Sequence, residues 1–513
     1  MIKRIFSKFI NFSESTINKI ENSKIPFYYF IFSFLFIIQL RNLLENFSAG
    51  TRINFYAHFH FTLFYSCIIL TLILITKIFT KEKIIKSFKS FSLFFSVILI
   101  GPIIDIFNLG IRNSNMSYFY PNNFKELLVM FFTFGGKYNG FGATIGMQIH
   151  IFLILILILI YTLVKTNKNF KKSFLVPFLI YIVIFFYGSL AYLLKSFFNF
   201  VYNDNAFSMI FFIILFILLV ISFYITKKEF FKIIIKDFRT SRILFYFLIL
   251  VLGVAIGYKN YDLLRYNIPE FLFLKIIISF LSILFAAFFS IISNNFADYN
   301  IDKVSNSERP LFKENLSKKD YLIFGLISLF LSLISASLLG YFGFLSIFLL
   351  IGSYFIYSMP PIRLKRIPIF SKITISLNSL FLSFLGFSFF LRNTDIIHLT
   401  SFPTEYIIFF LLFSLAANFI DIKDYEGDKK EGIKTLPVLL GLENSKKLIA
   451  LFFILPFLFI GFLNQDLMIV CILLSFVNIL LITDKNYDEK HLFLIILFSI
   501  LSYILTFLIY IPI

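Results

Sequence analysis

Residues 270–302 read EFLFLKIIISFLSILFAAFFSIISNNFADYNID. Positions 270–293 are apolar almost without interruption and long enough to cross the hydrocarbon core of a bilayer as one helix. Asn294, Asp298 and Asp302 then follow at intervals of four, so on a helix that continues out of the membrane their oxygens line one face over two turns. An apolar span that ends in a stack of oxygen ligands is the unit from which the rest of the chain can be read.

Comparable apolar runs recur along all 513 residues. They fall near 26–43, 57–76, 91–109, 147–164, 174–195 and 207–226, then near 243–258, 270–293, 321–340, 342–358, 373–391, 405–420, 448–463, 466–482 and 492–511. With 59% hydrophobic and only 15% charged residues, the chain has more apolar surface than a water-soluble fold can bury. The expected fold class is all-α, a polytopic membrane protein of about fifteen transmembrane helices. The basic loop KKEFFKIIIKDFRTSR, 227–242, separates six spans from nine and has the pattern of a helix lying on the membrane surface. It divides a six-span domain, 1–240, from a second domain, 241–513.

The formal charge of +19 does not indicate nucleic acid, because the basic residues form no single face or tail. They alternate between rich and poor loops instead. Placing the N-terminus inside puts 37 of the 47 Lys and Arg on the cytoplasmic side, as the positive-inside rule requires. The expected location is the cell membrane, with the N-terminus and both acidic loops cytoplasmic. Residues 1–25 lack an apolar centre and read as a cytoplasmic tail rather than a signal peptide. Cys67 and Cys471 lie in separate apolar runs, which argues against a disulfide framework or a thiolate metal site.

A second acidic segment, DIKDYEGDKKEGIKTLP, runs from Asp421 to Pro437 after the span at 405–420. Asp421, Asp424 and Asp428 share a helical face, with Asn418 one turn earlier. Carboxylates this close repel one another at a membrane border unless a cation lies between them. Mg²⁺ suits such oxygens because it binds one or two carboxylates and keeps positions for water and phosphate. Between the two clusters, YSMPPIRLKRIP, Tyr357 to Pro368, brings Arg363, Lys365 and Arg366 to the same border, where guanidinium and ammonium groups can hold a diphosphate.

These three segments, NxxxDxxxD, YSxPPxRLKR and DxxDxxGDxxxGxxTLP, spread over nine spans, resemble the UbiA family of intramembrane prenyltransferases. The resemblance covers roughly residues 243–513 and looks closest to the archaeal digeranylgeranylglyceryl phosphate synthase branch. It implies a nine-helix bundle whose cavity opens to the cytoplasm and to lipid. It also implies that Asn294, Asp298, Asp302, Asp421, Asp424 and Asp428 hold Mg²⁺ against a prenyl diphosphate, with Asp298, Asp302, Asp424 and Asp428 catalytic. Arg363, Lys365 and Tyr357 would bind substrate, with Lys303, Arg309 and Lys434 as additions from the same loops. The implied reaction is Mg²⁺-dependent transfer of a prenyl chain, geranylgeranyl in that branch, to a lipid such as a glycerol ether phosphate. An aromatic or quinone precursor is the alternative acceptor. Many members carry Asp where this chain has Asn295.

The first half resembles no family by these criteria. His58, His60, Asp105 and His150 stand near the outer ends of its spans, where they serve either as metal ligands or, as the simpler expectation, as interfacial residues met by water and headgroups. A transporter is the non-enzymatic reading of the whole chain. It calls for ionisable residues at mid-span, whereas those of the second half gather at cytoplasmic helix ends.

Overall fold

The computed structural model describes residues 2–51, 54–109, 118–136, 142–238, 240–260, 270–299, 317–391, 403–463 and 465–509. Asp302, Lys303 and Arg309 lie outside them. Apart from an isolated bridge between Gly136 and Ala143, the regular structure of the described residues is entirely helical. The chain separates into two compact units, Met1–Phe231 and Lys232–Ile513. Among the described residues, 14 helices are long and apolar enough to cross a membrane. A further helix, Glu489–Ile509, covers most of the last run expected from sequence.

Unit 1 contains α1 (Ile2–Glu21), α2 (Phe27–Ala49), α3 (Phe55–Thr80), α4 (Ile84–Phe94), α5 (Ile100–Leu109), α6 (Phe124–Phe132), α7 (Ile145–Lys165), α8 (Phe170–Phe198) and α9 (Asp204–Thr226). Side-chain oxygens of Asn54, Thr144, Asn169 and Asn203 accept from backbone N–H groups of the first turn and so fix where α3, α7, α8 and α9 begin. The N-terminal segment expected as a tail is instead the amphipathic α1. Its Ile10 and Ile17 are buried, and its last residue, Glu21, pairs with Lys165 at 2.6 Å. The polar residues near the outer span ends are not water-facing either: His60, Asp105 and His150 are all buried. His58 is held by Gln39 and Asn46, His60 by Tyr118, and Asp105 by Thr144 and the Gly146 N–H. These protein partners take the place that water and headgroups were expected to fill.

α10 (Lys228–Lys236) is the short helix expected in the basic connection, with Ile233 and Ile234 buried and Lys228, Lys232 and Lys236 exposed. Unit 2 continues with α11 (Thr240–Asn260), α12 (Leu272–Ala297), α13 (Lys318–Ser337), α14 (Gly340–Ser358), α15 (Pro368–Phe387), α16 (Thr404–Ala416), α17 (Ile420–Glu431), α18 (Leu436–Leu440), α19 (Leu442–Leu463), α20 (Met468–Thr483) and α21 (Glu489–Ile509). A 3₁₀ turn, Ala417–Phe419, joins α16 to α17 without a break, so the second acidic cluster continues a membrane span as one rod.

Two seams fix the helices that carry the polar residues. Ser282 Oγ donates to the Ser332 carbonyl at 2.9 Å and Ser332 Oγ returns the bond to Ser282 at 2.8 Å, which locks α12 to α13. α11 and α15 meet backbone to backbone. A Cβ on Gly253 would overlap the Ser383 carbonyl, and one on Gly386 the Leu250 carbonyl. Leu250, Ile283, Ile347, Leu385 and Ile449 belong to the apolar core that these helices share.

Candidate active site

The polar residues of unit 2 converge at one end of its helices in two groups. The first is built on the end of α12. Asp298 is the C-cap, its N–H bonded to the Asn294 carbonyl at 2.9 Å, so the two side chains stand one turn apart as the spacing predicts. Both carboxylate oxygens of Asp298 accept from cations of the loop after α14: Oδ1 from Arg363 and Oδ2 from Lys365. Lys365 also donates to Asn294 Oδ1 at 3.1 Å, and Ser358 Oγ donates to the same oxygen at 3.1 Å. Arg363 reaches this position from a left-handed backbone, φ 48°, a conformation that costs a non-glycine residue about 1 kcal/mol or more. Its buried Nε has no hydrogen-bond partner among the described residues.

The second group is built on α17. Asp421 is buried and Asp424 exposed, with Asp428 between these extremes. Lys372, at the start of the second turn of α15, donates to Asp421 Oδ1 at 2.5 Å, while the buried Asp421 Oδ2 has no partner among the described residues. Arg242, at the start of α11, lies within electrostatic reach of Asp424. Lys423 pairs with Glu489 and ties α17 to α21. Gly432 ends α17 in the left-handed region, φ 71°, which explains a glycine there. Lys434, beyond it, is exposed. Asn418 donates its amide back to the Leu415 carbonyl at 2.8 Å.

The end of α14 adjoins both groups. Tyr357 lies within electrostatic reach of Asp421 and Asp424, and its neighbour Ser358 bonds Asn294. Lys372, Arg242 and Ser358 were not expected from sequence. Lys372 reads there as one more positive-inside residue, and Arg242 is far from the motifs along the chain. Asn295 faces away from both groups: its Nδ2 donates to Tyr321 at 2.8 Å and to Asp237 at 3.2 Å. Tyr321 donates to the same Asp237 oxygen at 2.5 Å. An amide donor is therefore what this position requires, and an Asp there would confront Asp237.

Among the described residues, no three His, Cys, Asp or Glu side chains close into a metal-ligand set. The donor chemistry nevertheless fits a hard cation. Every candidate is a carboxylate or amide oxygen, and the buried, unpartnered Oδ2 of Asp421 is the kind of atom a cation completes. An apolar cavity lined by Phe245, Tyr406, Phe410, Phe413, Phe453 and Phe457 also includes Ala416. Ala416 precedes Asp421 by five residues, about 7.5 Å along a helical segment.

Comparison with known proteins finds several that are similar to the C-terminal region. Curated relatives include the digeranylgeranylglyceryl phosphate synthase of Pyrococcus horikoshii, 29% identical over 159 residues that make up 31% of this chain and 54% of that protein. Another is the chloroplastic naringenin 8-dimethylallyltransferase 2 of Sophora flavescens, 30% identical over 160 residues, 30% of this chain and 39% of that protein. The chain thus spans about half the length or less of these two relatives. A UbiA homolog from Archaeoglobus fulgidus, solved bound to GPP and Mg²⁺, superposes with a TM-score of 0.41 at 20% identity, over 53% of this chain and 99% of that one. Residues 263–491 match the UbiA prenyltransferase family, and the C-terminal region of this chain carries a domain of that family.

Proposed function

We propose that unit 2 transfers a prenyl chain from its diphosphate to a lipophilic acceptor, at a polar end that faces the cytoplasm. The observation that carries this reading is the meeting of Asp298, Arg363 and Lys365 with the Asp421, Asp424 and Asp428 face at the two sides of Tyr357 and Ser358. Such a set of cations and carboxylates is suited to a diphosphate rather than to a single negative charge.

In this reading Arg363 and Lys365 leave Asp298 and take up the diphosphate oxygens, Arg363 as a planar fork and Lys365 as a point charge. Asn294, Asp298, Asp421, Asp424 and Asp428 would hold Mg²⁺, with Asp302 as a further ligand. When bound, Mg²⁺ would neutralise charge on the leaving diphosphate as a Lewis acid. The bond from the allylic C1 to the diphosphate oxygen breaks and its electron pair leaves with the diphosphate. The aromatic faces of Phe245, Phe410, Phe413 and Phe453 favour the allylic cation and exclude water from it. The acceptor nucleophile attacks C1 and loses its proton. Lys303, Arg309 and Lys434 would add positive charge around the donor.

A geranylgeranyl donor and a glycerol ether phosphate acceptor follow from the likeness to the digeranylgeranylglyceryl phosphate synthases. The likeness to the naringenin enzyme supports an aromatic acceptor as the second reading. Membranes containing the full chain, given labelled geranylgeranyl diphosphate and either acceptor class, separate the two. Asp298→Asn and Asp424→Asn should each lower Mg²⁺-dependent transfer by about 10²-fold, the scale of losing one transition-state charge stabiliser. Variants that fold normally and keep full transfer would remove this site assignment.

A further inference from the structure

Unit 1 holds a second polar centre that the prenyl-transfer reading does not use. Arg41 on α2 is 1% exposed, pairs with Glu45 one turn later, and lies over the rings of Phe61 and Tyr65, with its guanidinium carbon 5.2 Å from each ring centre. A charged pair so deeply buried in a membrane-spanning unit is costly and is a functional candidate by default. Here it opens onto a cavity of about 230 Å³. Arg41, Glu45, Tyr65, Tyr118, Tyr120 and Tyr202 supply the polar part of its wall.

A second, narrower cavity of about 40 Å³ shares Phe64, Tyr65, Phe119, Met147 and Gly188 with the first. Beyond that shared wall its lining is Ile68, Leu72, Ile151, Ile154 and Ile184 with the one ring of Phe95, and His150 stands at its side. A wide aromatic and hydrogen-bonding chamber therefore adjoins a narrow apolar one whose unshared wall is mostly aliphatic. That sequence of surfaces matches an amphiphile with one chain and a bulky head.

The charges select among heads. Among the described residues of this chamber, Arg41 is set against Glu45, its direct partner, Asp105, within electrostatic reach of Glu45, and Asp204, within reach of Tyr118 and Tyr120. Asp105 is held by Thr144 and by the Gly146 N–H at 3.0 Å, and Asp204 accepts from Tyr202 at 2.5 Å. Among these residues a phosphate or carboxylate head would meet more negative than positive charge. An uncharged planar ring would instead lie between aromatic faces, its oxygens bonded to Arg41 and the phenols.

We propose that unit 1 binds a neutral, ring-headed single-chain lipid, with a hydroxylated aromatic or quinone-type head in the Arg41 chamber and its chain in the narrow one. The proposal is independent of the activity of unit 2.

The chain contains no tryptophan, so Phe61→Trp introduces a single reporter that keeps an aromatic face against Arg41. The full-length variant in nanodiscs is titrated with decylbenzoquinone, a ring-headed quencher, with decyl phosphate as competitor. Saturable quenching is expected, with decyl phosphate competing at least about 10-fold more weakly. Ile154→Phe, which fills the narrow chamber, should raise the half-saturating concentration about 10-fold with thermal unfolding unchanged. If that variant does not fold, Tyr118→Phe removes one head-group hydroxyl and should weaken binding severalfold. Non-saturable quenching, equal competition by decyl phosphate, or quenching unaltered in the folded variants would overturn the proposal.

Discussion

Lys372→Met tests the part of the site that the motifs do not announce. In the structure the ammonium of Lys372 donates to Asp421 Oδ1 at 2.5 Å, with the two side chains 7% and 12% exposed, and Asp421 Oδ2 has no partner among the described residues. Methionine keeps much of the length of the lysine stem and removes the charge, leaving a buried carboxylate with no cation on either oxygen. Removal of one member of a buried ion pair costs about 3–5 kcal/mol, against a total stability of about 5–15 kcal/mol for a typical domain. The variant should therefore unfold at markedly lower denaturant. Adding Asp421→Asn should recover most of the loss, because the uncompensated charge goes with it. Mg²⁺ should also stabilise the single variant more than the wild type, since a divalent ion can replace the missing ammonium. The assay is unfolding of the full chain in mixed micelles, followed by circular dichroism with and without Mg²⁺. A single variant within about 0.5 kcal/mol of wild type, or a double variant no better than the single, would refute the reasoning.

Asn295→Asp should destabilise unit 2 by about 3 kcal/mol or more, because it replaces the donor to Asp237 with a second carboxylate, and Asp237→Asn in the same chain should restore stability. The comparison of unfolding curves for the two variants checks it. Cysteines placed singly at Lys319 and Thr404, each exposed, should be labelled from opposite sides of the membrane by an impermeant maleimide. Labelling of both from one side would overturn the expected number of crossings between them.

The spans were legible because a bilayer demands about 20 apolar residues per crossing, and α12, α14 and α19 answer that demand with long apolar runs. The pairing of Asn294 with Asp298 was legible for a similar reason, since helical spacing brings i and i+4 together whatever surrounds them. Lys372 and Arg242 were not. Their place beside α17 depends on how α15 and α11 pack, and a lone cation at the start of a span has the same pattern whether it meets a lipid headgroup or a carboxylate. The direction of Asn295 was hidden in the same way, because its partners Asp237 and Tyr321 come from segments 58 and 26 residues away. In unit 1, α1 hid its role because a short amphipathic helix rich in lysine reads as surface until Glu21 is seen against Lys165.

The reciprocal serine bonds between α12 and α13 divide the labour of the site. They hold Asn294 and Asp298 on a stator, whereas Arg363 and Lys365 ride on a short loop that the two helices do not clamp. The Asp298 carboxylate occupies these cations and acts as a placeholder for the anion they would grip. Under the proposed function, capture of a diphosphate would be an exchange of one anion for another on the jaw that this loop forms, with little net charge to desolvate. Loosening the serine clamp would blur the aim of the stator and leave the charge of the jaw untouched.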